Sequence, residues 1–293
     1  MTRTTLISDL WEPIQKYITE LNNKRPMPGV HHYTSVKGAL GILESGQMWF
    51  TERTHLNDPS EISHGIDLAK SILCAKGRNH DATHLDDSTK TVFRDFRFLS
   101  ASFSLEHDDL SQWRNYADDG KGVVLSFKAS AFNNLHTHIN KIIPDYPTVF
   151  VCPMSYEPER LKQVIECIIA KWNGDNIGEL CDHLLIISSM FKSDVWKSEN
   201  EYRFFVHQKR DKILKCEFYK VRERNSEIIS YLDIPIQNWS SATEFPIYRI
   251  SLGPAAPDGL DVELSDFIFS KGISIRRENI CRSTIPYRSV RRI

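Results

Sequence analysis

Two glutamates, Glu199 and Glu201, lie one residue apart in the stretch "SENEYRFFV". The stretch is predicted to start a strand, and alternate residues of a strand share a face, so both carboxylates should point to the same side. Like charges held close together raise the pKa of one of them, and such a carboxylate can act as an acid, a base or a stabiliser of a cation. Arg203 is predicted to lie on the same face and can neutralise them. A solvated strand end is the alternative interpretation.

A row of serines is the second candidate. In "SASFS", Ser100, Ser102 and Ser104 alternate with apolar residues, so one strand face carries hydroxyl groups. Buried hydroxyls need hydrogen-bond partners, and a bound ligand would supply them. Hydrogen bonds to a neighbouring strand would satisfy them equally well.

The polar cluster "HHYTS" is the third candidate, because it directly precedes an apolar repeat typical of a helix. His32, Tyr33 and Thr34 can hydrogen-bond a sugar hydroxyl, and the N-terminus of the following helix favours an anion such as a phosphate. A purely structural histidine is the alternative.

The stretch "LSQWRNYADDGKG" is the fourth candidate. It offers Trp113 and Tyr116 as stacking surfaces, with Arg114 and Lys121 as partners for phosphate. Aromatic residues of a short helix also commonly pack into a core, and that alternative stays open.

Strands and helices are predicted around these residues from their periodicity and caps. Helices are expected over 5–23, from a cap at Thr34 or Ser35 to a stop at Gly46, and from a cap at Asp58 or Ser60 to about Cys74. Further helices are expected in "LEHDDLSQWRNYADDGKG", with Asp108 or Asp109 near its start, and over 158–172, 176–193 and 258–272. Strands are expected in "QMWFT", "FRFLSASFS", "GVVLSF", "EYRFFVH", "KILKCEFYK", "EIISYLDI" and "IYRISLG". The polar stretch "KGRNHDATHLDDSTK" is expected to be a surface loop.

This mixed order of elements favours an α+β fold over a regular βαβ fold, and the sequence has no glycine-rich dinucleotide or phosphate-loop motif. We expect an N-terminal helix and linker over residues 1–27. A single domain should then span 28–293, with a helical insertion around 156–195.

Composition indicates a soluble globular protein of 293 residues with a net charge of −1. That charge excludes a global basic field for nucleic acid or membrane. Charges at Asp9, Glu12 and Lys16 interrupt the first apolar stretch, so we expect no signal peptide. We therefore expect a cytoplasmic location. The six cysteines include no Cys-x-x-Cys pair, and no metal site is expected.

In chain order these motifs resemble the superfamily of NAD-dependent ADP-ribosyltransferases, in which an early Arg or His, a Ser/Thr strand and a late Glu line one cleft. The segments "HHYTSVKGALGILESGQMWFTERTHLNDPSE", "FLSASFSLEHDDLSQWRNYADDGKGVVLSF", "FKSDVWKSENEYRFFV", "ISLGPAA" and "RSTIPYR" resemble more closely a bacterial family known as domain of unknown function 2971. The resemblance covers about residues 30 to 288. It implies an ADP-ribosyltransferase-like fold, with a split mixed or antiparallel sheet and flanking helices.

The superfamily resemblance also implies roles for individual residues. His32 would bind the adenosine-side ribose of NAD. Ser102 and Ser104 would build the nicotinamide end of the cleft. Glu201 would be catalytic by holding a hydroxyl of the nicotinamide ribose, and Glu199 would help to present the acceptor. The aromatic residue that stacks on nicotinamide has no assigned position, so Tyr33, Trp113 and Tyr116 all stay candidates.

The expected function is therefore cleavage of the nicotinamide–ribose bond of NAD, without a metal, and transfer of ADP-ribose to water or to a protein or RNA acceptor. Such an activity would be toxic inside a cell, which suggests a toxin–antitoxin or phage-defence role with an antitoxin or regulatory partner. The alternative is a non-catalytic module that binds a nucleotide or nucleic acid in the same cleft. An RNA-directed role draws on the basic runs "KVRER" and "YRSVRRI", although such runs are usually solvated surface.

Overall fold

A mixed ten-stranded sheet with helices on both faces forms the core of the computed structural model, which confirms the α+β class. The structure describes residues 9–24, 29–55, 61–132, 135–145, 147–224, 226–236 and 245–289. Its strands are β1 (Gly29–Thr34), β2 (Gln47–Glu52), β3 (Phe96–Ser104), β4 (Val123–Lys128), β5 (Thr148–Pro153), β6 (Glu201–Lys209), β7 (Tyr219–Arg224), β8 (Glu227–Pro235), β9 (Ile247–Leu252) and β10 (Ile280–Arg282). Its α-helices are α1 (Trp11–Lys24), α2 (Val36–Ser45), α3 (Glu61–Ala75), α4 (Asn79–Asp95), α5 (Leu110–Tyr116), α6 (Leu135–Ile142), α7 (Pro158–Lys171), α8 (Ile177–Ser188), α9 (Arg210–Leu214) and α10 (Leu260–Ser270).

The strand order is β10-β9-β4-β1-β3-β2-β8-β7, and β6 pairs with β3 on one side and β5 on the other. Among these described pairs, β9–β10 is parallel and the others are antiparallel. The sheet is therefore mixed, as expected from the order of predicted elements.

The sheet divides at β3. All nine residues of β3 pair with β6 along one edge. On the other edge, β1 pairs only at Ser104, through His31, while β2 pairs only at Ser100 and Leu99. Neither strand pairs with the middle of that edge, so a gap opens between β1 and β2 over Ala101–Phe103.

The two faces of the sheet carry separate cores because strand residues alternate. One face, with Leu99, Phe103 and Phe204, packs with α2, α6 and α10. The other face carries Phe98 and Phe205 and is covered in that region by α1, α3, α4, α7 and α8. The rest of this second face carries the serines of β3 and lines the pocket described below.

Helix α1 packs into the helical layer. Ile14 is fully buried, and the ring of Tyr17 stacks on Phe191 at 5.3 Å between centroids. Lys171 of α7 donates a 2.6 Å hydrogen bond to Glu12. The predicted helix over 5–23 is thus confirmed from Trp11 onwards, while residues 5–8 lie outside the described part of the chain.

The caps of α2 are among those predicted, with Ser35 and not Thr34 as the N-cap. The Ser35 hydroxyl accepts a hydrogen bond of 3.0 Å from the Gly38 amide, and Gly46 ends the helix in the left-handed conformation at φ 63°. The predicted cap at Asp58 or Ser60 falls outside the described residues.

Two predictions about elements were wrong. The expected loop "KGRNHDATHLDDSTK" lies largely within α4, because Ala82, Leu85 and Val92 form a buried helical stripe within its polar sequence. The expected strand "KILKCEFYK" begins instead with α9, and strand pairing starts only at Tyr219. Strand β5 had no counterpart among the predicted elements.

Candidate functional site

A cavity of about 460 Å³ opens over the gap between β1 and β2. This volume lies within the range of small-molecule sites. The sheet supplies its floor through β1, β2, β3 and β6. Helix α5 and the segment before β6 supply its walls, and Arg222 and Arg224 of β7 lie at its rim.

Glu199 and Glu201 lie at the acidic end of the pocket within a buried group of four charges. The carboxylate of Glu201 accepts hydrogen bonds from Nε and Nη2 of Arg203, the latter at 2.7 Å, and from Lys192 Nζ at 3.2 Å. Glu199 accepts hydrogen bonds from Lys192 and from the hydroxyl of Tyr116. Two cations thus balance two anions, and all four side chains are at most 9% exposed.

The strand register places Glu201 in this group. Ser104 pairs with Glu201 and Ser102 with Arg203 across the β3–β6 ladder, so all four side chains share one face. Glu199 belongs to the preceding 3-10 helix, Asp194–Glu199, and left-handed Asn200 between the glutamates has φ 42°. The two carboxylates therefore meet through a turn and a shared lysine, instead of by the simple strand alternation that we predicted.

The charges of this group fix its ionisation. Burial alone would raise the pKa of Glu201, but Arg203 and Lys192 overcome that effect and lower it to about 2. Burial alone would lower the pKa of Lys192, but the two glutamates outweigh it and the pKa is raised. At neutral pH, Glu201 is thus a carboxylate and Lys192 an ammonium group.

We expect the protein to lose stability in acid because of Glu201. Its pKa is depressed from 4.5 in the unfolded chain to about 2 in the folded protein, so the stabilisation is complete above pH 4.5 and is lost as the pH falls towards 2. The contribution amounts to about 3 kcal/mol. Urea unfolding at a series of pH values measures it. An unfolding free energy that stays constant between pH 5 and pH 3 would contradict this assignment.

The serine row of β3 lines the pocket, and its three hydroxyl groups differ in their hydrogen-bond partners. Ser104 donates to the carbonyl of Glu199 at 2.9 Å, and Ser102 hydrogen-bonds Glu201. The hydroxyl of Ser100 and the side-chain Nε2 of Gln112 are buried in the pocket lining without a partner among the described residues. Because buried polar groups are normally hydrogen-bonded, these two are groups that a ligand would satisfy.

His32 lines the pocket beside the gap in the sheet. Its Nδ1 lies 3.2 Å from the carbonyl oxygen of Ser102, on the part of β3 that pairs with neither β1 nor β2. Burial lowers the pKa of His32. His31, one residue earlier, lies on the same face as Ser104, with Nδ1 2.9 Å from the Ser126 hydroxyl, and burial lowers its pKa to about 4. Both rings are therefore neutral at pH 7.

Tyr33 fixes the loop that leads to α5. Its hydroxyl donates to the carbonyl of Glu106 at 2.9 Å and accepts from the amide of Asp109 at 3.0 Å. Asp109 in turn caps α5 by accepting a 2.9 Å hydrogen bond from the Gln112 amide. This start of the helix turns Gln112 and Tyr116 towards the pocket.

Seven of the ten predicted site residues line the pocket: Glu199, Glu201, His32, Tyr33, Ser102, Ser104 and Tyr116. The other three are outside its lining. Trp113 is fully buried beneath Tyr33, and its Nε1 donates to Asp108 at 2.7 Å. Arg114 points to solvent and lies 3.8 Å from Asp119. Thr34 lies at the end of β1, beside Gly38 of α2. Tyr116 therefore remains the aromatic side chain of α5 that faces the pocket.

The sequence interpretation missed Lys192, which neutralises both glutamates, and the rim residues Trp49, Arg222 and Arg224. The basic run "KVRER" supports an RNA-directed role, but nothing in the sequence links it to the pocket. In the stretch "FKSDVWKSENEYR", Lys192 lies close enough in sequence to both glutamates to be a candidate counter-ion.

Within the described residues, no group of three or more His, Cys, Asp or Glu side chains is placed to hold a metal ion. None of the helices that the structure describes combines the length and apolar character needed to cross a membrane.

Comparison with known families gives a match to part of the chain. The model of a family described as "Protein of unknown function (DUF2971)" matches residues 112–204, which confirms the predicted family resemblance over that segment. The segment runs from α5 to β6 and contains Tyr116, Lys192, both glutamates and Arg203. No curated protein and no solved structure matches the chain.

Proposed function

We propose that the protein cleaves the bond between nicotinamide and ribose in NAD, as an ADP-ribosyltransferase or an NAD glycohydrolase with an ADP-ribosyltransferase-like cleft. The observation that carries the proposal is the convergence of Glu201, Ser102 and His32 at one pocket from three separate strands. These are the residues that the superfamily resemblance assigns to catalysis and NAD binding. Ser100 and Gln112 add two buried polar groups that a ligand would satisfy.

The chemistry suits an ionised carboxylate in that position. When the bond from the nicotinamide nitrogen to ribose C1′ breaks, its electron pair leaves with nicotinamide and positive charge develops on the sugar. A fixed carboxylate that accepts a hydrogen bond from a ribose hydroxyl stabilises that charge as it grows. Water or an acceptor group then bonds to C1′ and releases its proton to solvent. Glu201, held as an anion by two cations, is prepared for this role.

One observation favours a second function, a non-catalytic nucleotide-binding module. Arg203, Lys192 and Ser102 all bond the carboxylate of Glu201, which is only 3% exposed. A substrate hydroxyl has to displace one of these partners before it can reach Glu201. The Ser102 hydroxyl, a neutral donor, is the one most easily displaced. In a protein that only binds nucleotides, no ligand hydroxyl has to reach Glu201, so none of the partners of Glu201 has to be displaced.

Release of nicotinamide from NAD by the purified protein tests the proposal. We expect release, and its dependence on added cell lysate separates transfer to an acceptor from hydrolysis. A folded protein that binds NAD or ADP-ribose by calorimetry without releasing nicotinamide, with or without lysate, would reject the enzyme and leave the binding module. If release is found, induction of the gene should slow growth, as a toxin or defence role requires.

A further inference from the structure

The rim of the pocket farthest from Glu201 is basic and aromatic. Lys220, Arg222 and Arg224 alternate along β7, so their side chains share one face at a spacing of about 6.6 Å. Trp49 of β2 lies beside them and is 43% exposed, an unusual state for a tryptophan. The guanidinium of Arg222 lies 4.3 Å from the centre of the Trp49 ring.

Arg222 has unused hydrogen-bonding capacity. Its Nε is buried and has no partner in the part of the chain that the structure describes. Burial lowers the pKa of Arg222, and the nearby charge of Arg224 lowers it further. Two guanidinium groups that repel each other beside a pocket form a favourable site for an anion.

Two acidic residues lie near this rim without cancelling its charge. Glu227 is directly opposite Arg224 in the β7–β8 ladder and is exposed. Asp233 hydrogen-bonds Trp49 and lies close enough to Lys220 for the lysine to lower its pKa, although burial outweighs that effect and the pKa is raised overall. Three cations thus face two carboxylates, and the excess charge is positive.

The rim lies on the far side of the pocket from Glu201. Strand β7 is the fourth strand from β6 in the order β6-β3-β2-β8-β7, and neighbouring strands are about 4.8 Å apart, so the axes of β7 and β6 are about 19 Å apart across the sheet. The guanidinium of Arg222 spans part of that distance, because it reaches the ring of Trp49 on β2. This geometry leaves the rim open to a ligand other than the NAD at Glu201.

We propose that Trp49, Arg222 and Arg224 form the docking site of a single-stranded nucleic acid, which is the acceptor of ADP-ribose. A row of cations binds successive phosphates, and an exposed tryptophan next to it stacks on a base, the combination used by proteins that bind single strands. The acceptor role rests on the proposed function, whereas the docking site does not.

Fluorescence anisotropy of a labelled ten-nucleotide single strand, made once as RNA and once as DNA, tests the docking site without NAD. We expect binding that weakens with salt. In R222Q/R224Q, the slope of log affinity against log salt should fall by about 1.4, since each phosphate contact contributes about 0.7 on single strands. W49A should weaken binding at least about 5-fold, whereas W49F keeps a stacking ring and should bind as the wild type does.

The exposed pair Arg276 and Arg277, outside the pocket lining, provides the matched control, and R276Q/R277Q should leave affinity unchanged. R222K/R224K keeps the charge and should retain most of the binding, which separates charge from folding. The docking site is overturned if the wild type binds neither strand in low salt, or if R222Q/R224Q binds as tightly as the wild type. Stronger binding of RNA or of DNA identifies the type of strand.

Mass spectrometry of the oligonucleotide after incubation with NAD tests its role as acceptor. ADP-ribose attached to the strand, lost in R222Q/R224Q, is the expected result. Nicotinamide release with an unmodified strand would overturn the acceptor role while the proposed NAD cleavage stands. Strand binding without nicotinamide release would reject the proposed cleavage, and with it the acceptor role, and leave the docking site in place.

Discussion

Replacement of Glu201 with glutamine is expected to lower nicotinamide release by about 10²- to 10³-fold. Glutamine keeps the size of the side chain but removes its charge, so the positive charge that develops on the ribose loses its fixed counter-charge. In other enzymes, loss of one such electrostatic group lowers the rate by a similar factor. The measurement is the initial rate of nicotinamide release at saturating NAD. E263Q, the same change on the exposed side of α10, should retain the wild-type rate.

Since Glu201 also holds Arg203 and Lys192, loss of activity alone does not separate catalysis from folding. E201D supplies that separation, because it keeps the charge but withdraws the carboxylate by one methylene group. We expect E201D to melt closer to the wild-type temperature than E201Q and still to lose most of its activity. A wild-type rate of nicotinamide release in folded E201Q would show that Glu201 does not stabilise the positive charge on the ribose.

Replacement of Arg203 with methionine is expected to lower the free energy of unfolding by about 3 to 5 kcal/mol. Arg203 is 2% exposed and donates two hydrogen bonds to Glu201, and removing one partner of a buried pair leaves the other charge poorly compensated. Urea unfolding measures the change. The matched control is R276M, where an exposed arginine 3.2 Å from Glu278 is lost and less than about 1 kcal/mol is expected.

The double variant E201Q/R203M tests the origin of that effect. If the cost of R203M comes from the uncompensated charge of Glu201, the two changes together should cost less than the sum of the single changes. Additive costs would instead indicate that Arg203 stabilises the core by packing, against Cys152 and Phe205 for example.

Much of the fold followed from the sequence because local patterns reported it. Alternation of residues predicted β3, length and composition predicted β8, and the pair Thr34 and Ser35 with Gly46 marked the ends of α2. Helix α4 was missed because only its buried stripe is apolar, and the polar residues around it resemble a loop. Its helical form depends on packing against α3 and α8, which no local pattern reports.

The candidate site was predictable to a similar degree. Histidine, serine and glutamate motifs identified the strands that meet at the pocket, but not the partners of each charge. Lys192 reaches Glu201 only because the chain turns at Asn200 and pairs β6 with β3. Arg222 joins the pocket rim because β8 places β7 beyond β2. Such neighbours are set by strand order, which one sequence does not reveal.

The divided sheet has a mechanical consequence. Within the described strands, β1 with β4, β9 and β10 forms one blade, and β2 with β7 and β8 forms another, while β3 pairs with both. Strand β6 pairs with all nine residues of β3 and so reinforces β3 across the gap. Among the described strand pairs, the two blades are thus connected through β3. A ligand that touches both blades would add a second connection across the gap.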